Sequence, residues 1–200
     1  MIRKGIFGGT FDPIHNGHIH IAYEAMEQLE LDEVIFVPSG MPPHKINGGI
    51  TDSYLRYEMV KMAVREEKRF KVSRIEVDSR EINYTYKTLE TIKSIDSNSE
   101  LYFITGADCL MELNTWKEVD RIFLDCSLVV FNRKGYSMEK IISKKEEIQK
   151  KYRTEIILLN SSMLDISSSY IRNAVKSGRN VSCYLPQNVY YAIKEWGLYT

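Results

Sequence analysis

Apolar residues recur at two different spacings along this chain, and the alternation between them predicts the architecture. Residues 2–7 read as a buried strand. Over residues 16–30, Ile19, Ala22, Tyr23, Met26 and Leu29 fall on one face of a helix, with Glu24, Glu27, Gln28 and Glu30 opposite. Val34 to Val37 is a continuous apolar run closed by Pro38, as in a parallel strand covered on both faces. A Gly- and Pro-rich loop spans 38–50, followed by a helix at 52–66 and a strand at 70–77. The second half repeats the theme: a helix at 86–95, a strand from Leu101 to Gly106, short helical pieces over 107–124 and a strand from Ser127 to Phe131. A strongly charged helix at 137–151 precedes a last strand, Ile156 to Leu159. One closing helix runs from Ser168 to Lys176 and stops at Gly178. The other has Pro186 at its first position, Val189, Ile193 and Trp196 on one face, and Gly197 as its stop.

Alternating strands and helices predict an α/β fold, a doubly wound and mostly parallel sheet with C-terminal helices. The 200 residues suit a single domain, 1–200, with no linker, repeat or low-complexity tract. In such sheets ligands sit at the carboxyl ends of the strands, near the switch point. Candidate chemistry is therefore sought just after each strand.

The richest stretch follows the first strand: Gly8-Gly9-Thr10-Phe11-Asp12-Pro13-Ile14-His15-Asn16-Gly17-His18. Glycines let backbone N–H groups approach a ligand closely. A helix N-terminus favours anions, and two imidazoles there can hydrogen-bond phosphate oxygens and stabilise developing charge. The four histidines, His15, His18, His20 and His44, all lie in the first 44 residues. A metal site built on His15, His18 and His20 is the competing reading. It lacks a fourth ligand nearby, and i, i+2 side chains on a helix point apart. His20 reads as a residue without a role. The stretch is neither a Walker A loop nor a dinucleotide GxGxxG fingerprint.

Three more stretches carry chemistry. In Ile166-Ser167-Ser168-Ser169-Tyr170-Ile171-Arg172, hydroxyls stand at a helix start and Arg172 lies one turn after Ser168, so a guanidinium could clamp a triphosphate. The plainer reading is a serine cap and a surface arginine. Pro42-Pro43-His44-Lys45 follows a strand and could meet a second phosphate, or be a stiff surface loop. Gly106 and Asp108 end another strand, where Asp108 could accept ribose hydroxyls, cap a helix, or both. Thr85 in Asn83-Tyr84-Thr85-Tyr86 reads as a helix cap, and Trp116 as core or a stacking surface.

Composition narrows the partners. Lys plus Arg equals Asp plus Glu at 27 each, so no global surplus of positive charge favours nucleic acid. Cys109, Cys126 and Cys183 are odd in number and form no CxxC pair, as for reduced thiols in a cytoplasmic protein. No apolar run approaches the length of a membrane span.

The His-x-Gly-His element resembles the signature that nucleotidylyltransferases share with class I aminoacyl-tRNA synthetases. With VPSGMPPHK, NYTYKTLE, ITGADCLMELNTWK, ISSSYIR and LPQNVYYAIKEWGLY, the order of motifs over nearly the whole chain resembles the bacterial nicotinate mononucleotide adenylyltransferase family. Phosphopantetheine adenylyltransferases are similar but typically carry Thr-x-Gly-His. The resemblance implies a Rossmann-like nucleotidylyltransferase fold and adenylyl transfer from ATP to nicotinate mononucleotide, a step of NAD synthesis. It implies Mg²⁺ riding on the ATP phosphates, small-molecule substrates without nucleic acid or membrane, and room for a homo-oligomer. It assigns His15, His18 and Arg172 to catalysis. It assigns Gly8, Thr10, Phe11, His15, His18, Gly106, Asp108, Ser167, Ser168 and Arg172 to ATP, with no protein metal ligands. His44, Lys45, Thr85 and Trp116 go to the acceptor, Trp116 stacking on the pyridine ring and the backbone near Thr85 receiving its carboxylate.

Overall fold

The computed structural model of the protein describes residues 1–40, 49–132, 135–161 and 164–200. The chain runs β1 (Ile2–Gly9), α1 (Asn16–Gln28), β2 (Glu33–Pro38), α2 (Ser53–Val64), β3 (Phe70–Val72), α3 (Thr85–Ile95), β4 (Ser99–Gly106) and α4 (Ala107–Glu112). It continues through α5 (Val119–Asp125), β5 (Cys126–Phe131), α6 (Met138–Tyr152), β6 (Ile156–Leu159), α7 (Ser168–Lys176) and α8 (Gln187–Glu195). The strands form one sheet in the order β3-β2-β1-β4-β5-β6, and every pairing is parallel. The strand order reverses at β1, with β2 on one side and β4 on the other, which places the switch point at the end of the glycine-rich strand.

The two-residue period of the strands feeds two hydrophobic layers. Phe7, Phe36, Ile104, Val129 and Phe131 face α1, α2, α7 and α8, meeting Ala22, Met26, Met59, Val60, Ile171, Val189 and Ile193. Their neighbours Ile6, Val37, Phe103, Leu128 and Val130 face the other way onto Leu89, Leu110, Ile122, Ile141 and Ile148 of α3 to α6. Helices on both faces are what the continuous apolar strands required. Among the described residues no helix is long and apolar enough to cross a membrane.

The structure corrects several expectations. β3 ends at Val72 rather than 77. Beyond Ser73, whose N–H still bonds the Phe36 carbonyl, the chain turns on itself through Asp78 N–H to Arg74 O and Ser79 N–H to Glu76 O. The buried stripe of α1 is also rotated. Ile21, Ala25 and His18 are inside with Ala22 and Met26, whereas Tyr23 is exposed. Tyr23 instead tilts its ring against Phe70. Tyr84, not Thr85, is the N-cap of α3; Gly106, not Asp108, caps α4; and Pro186 caps α8 instead of opening it.

Candidate active site

The turn after β1 is held by its own side chains. Phe11 takes a left-handed backbone (φ 49°) that swings its ring into the core, 5.6 Å from Phe7 and 5.0 Å from the His18 ring, centroid to centroid. The expected Phe11 contact with phosphate can therefore come only from its backbone, because the side chain is 2% exposed. The turn delivers His15 as the N-cap of α1 and His18 one turn later. Their rings stack at 3.7 Å, 23° apart. Gly17 makes that possible: a Cβ there would lie 3.0 Å from His15 Nδ1.

The His15 backbone N–H donates to His18 Nδ1 at 3.2 Å. A nitrogen that accepts carries no proton, so the neutral His18 ring is protonated on Nε2 and presents a donor there. Both imidazoles border a cavity of about 390 Å³ that is closed by Gly17, Phe131, Asn132 and Asp165 to Ser167. The N-terminus of α1 opens into the same space, adding its positive dipole end. His20 also borders it, with its ring 3.9 Å from Glu24. Among the described residues no group of three or more His, Cys, Asp or Glu is placed to hold a metal ion.

The distant serine-arginine motif packs directly onto this turn. Ser167 caps α7, its hydroxyl accepting from the Tyr170 N–H. Ser168 donates to the Pro13 carbonyl at 2.9 Å, and Arg172 Nη1 donates to the Asp12 carbonyl at 2.7 Å. Two stretches more than 150 positions apart thus meet on adjacent carbonyls of one turn. Ser168 and Arg172 therefore tie α7 to the turn after β1 rather than only capping their own helix.

A second cavity, about 290 Å³, opens on the other side of β1. Gly8, Gly9 and Thr10 border it, so the same turn faces both spaces. Its remaining walls come from Ser39 after β2, Glu76, the start of α3 (Asn83, Tyr84, Thr85, Thr88), and Thr105, Cys109, Thr115, Trp116 and Lys117. Thr85 and Trp116 therefore share one cavity, as expected. Trp116 meets Phe103 edge-on at 6.2 Å, and the side chain of Tyr84, the N-cap of α3, makes no capping hydrogen bond. Gly106 and Asp108 lie between the cavities: Thr105 and Cys109 border one, and Phe131, the strand partner of Gly106, borders the other. His44 and Lys45 lie outside the described residues.

Sequence reasoning missed four residues. Asp12 is 3% exposed; its carboxylate accepts from the Tyr199 hydroxyl at 2.6 Å and the Thr51 N–H at 3.3 Å. Burial, reinforced by that bond to Asp12, pushes the Tyr199 phenol well up. Arg56 is 1% exposed and donates to the carbonyls of Thr51, Thr10 and Ser39. Burial lowers its guanidinium pKa. Glu76 accepts from the Thr88 hydroxyl at 2.8 Å, and burial raises its carboxyl. A signal for Arg56 did exist: it lies in register with buried Met59 and Val60, a charge on an apolar stripe.

Known proteins match this geometry. Residues 6–174 match the family described as Cytidylyltransferase-like. A Clostridium kluyveri protein named "Probable nicotinate-nucleotide adenylyltransferase" is 54% identical over 202 residues, covering all of both chains. A Clostridium novyi protein of the same name is 49% identical over 199 residues, again covering both chains fully. The fold superimposes on Plasmodium falciparum nicotinic acid mononucleotide adenylyltransferase complexed with NaAD (TM-score 0.80, 21% identity), covering 100% of this chain and 98% of that one. With matches of this length and identity, the chain belongs to the cytidylyltransferase-like family, among the nicotinate-nucleotide adenylyltransferases.

Proposed function

We propose that the protein transfers the adenylyl group of ATP to nicotinate mononucleotide, releasing pyrophosphate and forming nicotinate adenine dinucleotide. The observation that carries this reading is one phosphate-binding turn with a cavity on each side, since the reaction needs two nucleotides to meet at one phosphorus. An oxygen of the mononucleotide phosphate forms a new bond to the ATP α-phosphorus as the bond to the bridging oxygen breaks in line. The attacking oxygen is already anionic, so no general base is required. What remains is alignment and stabilisation of charge.

ATP belongs in the histidine cavity. His18 Nε2–H and the His15 ring would contact oxygens of the α-phosphate region, while Ser167, Ser168 and Arg172 would hold the β- and γ-phosphates. Gly8, Thr10 and the Phe11 backbone would lie along the bridging phosphates, and Gly106 and Asp108 would take the adenosine ribose. The acceptor belongs in the second cavity. Trp116 would stack on the pyridine ring, and its carboxylate would face the N–H groups at the start of α3 near Thr85. His44 and Lys45 would approach the mononucleotide phosphate. Mg²⁺ would neutralise the triphosphate, keeping several waters and leaning on phosphate oxygens. We also propose a cytoplasmic protein, built as a single domain, that acts on small molecules with or without self-association.

The test is pyrophosphate release from ATP and Mg²⁺ with nicotinate mononucleotide, nicotinamide mononucleotide or phosphopantetheine. The acid mononucleotide is expected to give the highest kcat/KM. Equal or better turnover of either rival acceptor would reject the assignment.

A further inference from the structure

A continuous run of hydrogen bonds links α7 and the turn after β1 to the wall of the second cavity, and its centre is a buried cation. It starts at Arg172, whose Nη1 donates to the Asp12 carbonyl at 2.7 Å. The Asp12 carboxylate accepts from Tyr199 and from the Thr51 N–H. The Thr51 carbonyl accepts from Arg56 Nε at 2.8 Å. Arg56 then spreads over two more segments: Nη1 to the Thr10 carbonyl at 2.6 Å, and Nη2 to the carbonyls of Ser39 at 2.6 Å and Gly40 at 3.4 Å. The Gly40 N–H donates to Glu76, which also accepts from Thr88 on the wall of the acceptor cavity.

Two facts distinguish this run from incidental packing. A buried guanidinium is an expensive way to stabilise a fold, since well-packed apolar side chains of similar volume are often as good or better. Here the guanidinium bonds main-chain carbonyls from three separate segments, with the Asp12 charge nearby as an attraction. Second, Ser39 and Gly40 are gripped from opposite sides, their carbonyls by Arg56 and the Gly40 N–H by Glu76. The fit leaves no room for a side chain, because a Cβ on Gly40 would overlap the Glu76 carbonyl oxygen. Planar, multi-donor geometry of this kind is particular to arginine.

We propose that Arg56 is a positioning residue for adenylyl transfer: it fixes the phosphate turn against the Ser39–Gly40 strap, so that the two cavities hold their nucleotides in line for reaction. It lies beneath both sites and touches neither substrate. The inference rests on the adenylyl-transfer reading, and it predicts a particular kinetic signature. Each nucleotide should still bind well alone, while the bound pair reacts slowly, because misplacement of about 1 Å can cost about 10²-fold in rate.

The experiment compares wild type with Arg56→Lys and Arg56→Met. It measures thermal melting, the affinity for ATP and for nicotinate mononucleotide separately, and single-turnover rates on the fraction that binds both. We expect the single-turnover rate to fall about 10- to 100-fold in Arg56→Lys and further in Arg56→Met, with each Kd within about threefold of wild type. A folded Arg56→Lys with an unchanged rate overturns the inference. So does a rate that falls only in step with weakened binding. If neither Arg56 variant folds, Tyr199→Phe decides, since it removes only the hydroxyl on Asp12. A slower single turnover with both affinities kept supports the run as an alignment device, and an unchanged rate overturns it. Failure of wild type to turn over nicotinate mononucleotide is a separate outcome, which rejects the adenylyl-transfer reading itself and with it the inference.

Discussion

The two cavities beside β1 are built in opposite ways. The histidine cavity is bordered by the start of α1, the end of β5 and the approach to α7, and its chemistry lies in side chains: two stacked imidazoles and the Ser167 cap, with Arg172 bonded to the adjoining turn. The acceptor cavity takes its walls from the ends of β1, β2 and β4, the turn around Glu76, the start of α3 and the stretch to Lys117. Much of it is glycine backbone, small hydroxyls and the aromatic side chains of Tyr84, Phe103 and Trp116. The difference teaches where the work is divided. Under the proposed function the first cavity would stabilise charge, which needs a few strong donors, and the second would recognise shape and hold a ring at a fixed place.

The largest effect should come from the charge-stabilising side. His18→Ala removes the Nε2–H donor and should lower kcat by about 10²–10³, the range for loss of one preorganised donor, with ATP affinity changed much less. Steady-state kinetics with a separate ATP titration checks this. Near-normal kcat would remove the distinction between the cavities, since neither would then hold a transition-state contact. Arg172→Ala comes next. A charge-assisted hydrogen bond contributes about 1.5–3 kcal/mol, so kcat/KM for ATP should drop about 10- to 100-fold while KM for the acceptor holds. A loss that appears equally in the acceptor KM would mean Arg172 serves the turn as a whole.

On the other side, Trp116→Ala should raise the acceptor KM about tenfold, in line with about 1–3 kcal/mol for ring stacking, and leave the ATP KM alone. A change confined to ATP would assign the cavities the wrong way round. The smallest expected effect concerns Glu76. Burial holds its carboxyl above the ordinary carboxylate range in the fold. Stability from the protonated form is therefore complete at acid pH and is lost as pH rises from the unfolded value through the folded one. Glu76→Gln should abolish that dependence, so its melting temperature relative to wild type should be higher at pH 7.5 than at pH 4. Calorimetric scans at the two pH values test it, and a constant difference would show that this wall is more open to water than its packing indicates.

The same contrast explains what could be read from the residues alone. The histidine motif and the ISSSYIR stretch were legible because each is compact: local spacing fixes a helix start, and a helix start fixes the direction of its donors. Their meeting on the carbonyls of Asp12 and Pro13 is tertiary, and no spacing announces it. Thr85 and Trp116 were legible only through the resemblance, since a threonine near a helix start and a lone tryptophan have ordinary structural uses. Glu76 lies in a stretch whose β-branched residues, Val72, Ile75 and Val77, suggest a continuing strand, and the turn there ends it. The buried face of α1 is rotated from the apolar pattern because a histidine carries no apolar signal. His18 is on the buried stripe, with its ring against Phe7 and Phe11.

The bond between Tyr199 and Asp12 spans 187 positions. A single phenol from the far side of the sequence therefore closes the turn that carries both histidines. A cut in the backbone anywhere between the two residues would leave that bond to be made between separate pieces, so the turn depends on the continuity of nearly the whole fold.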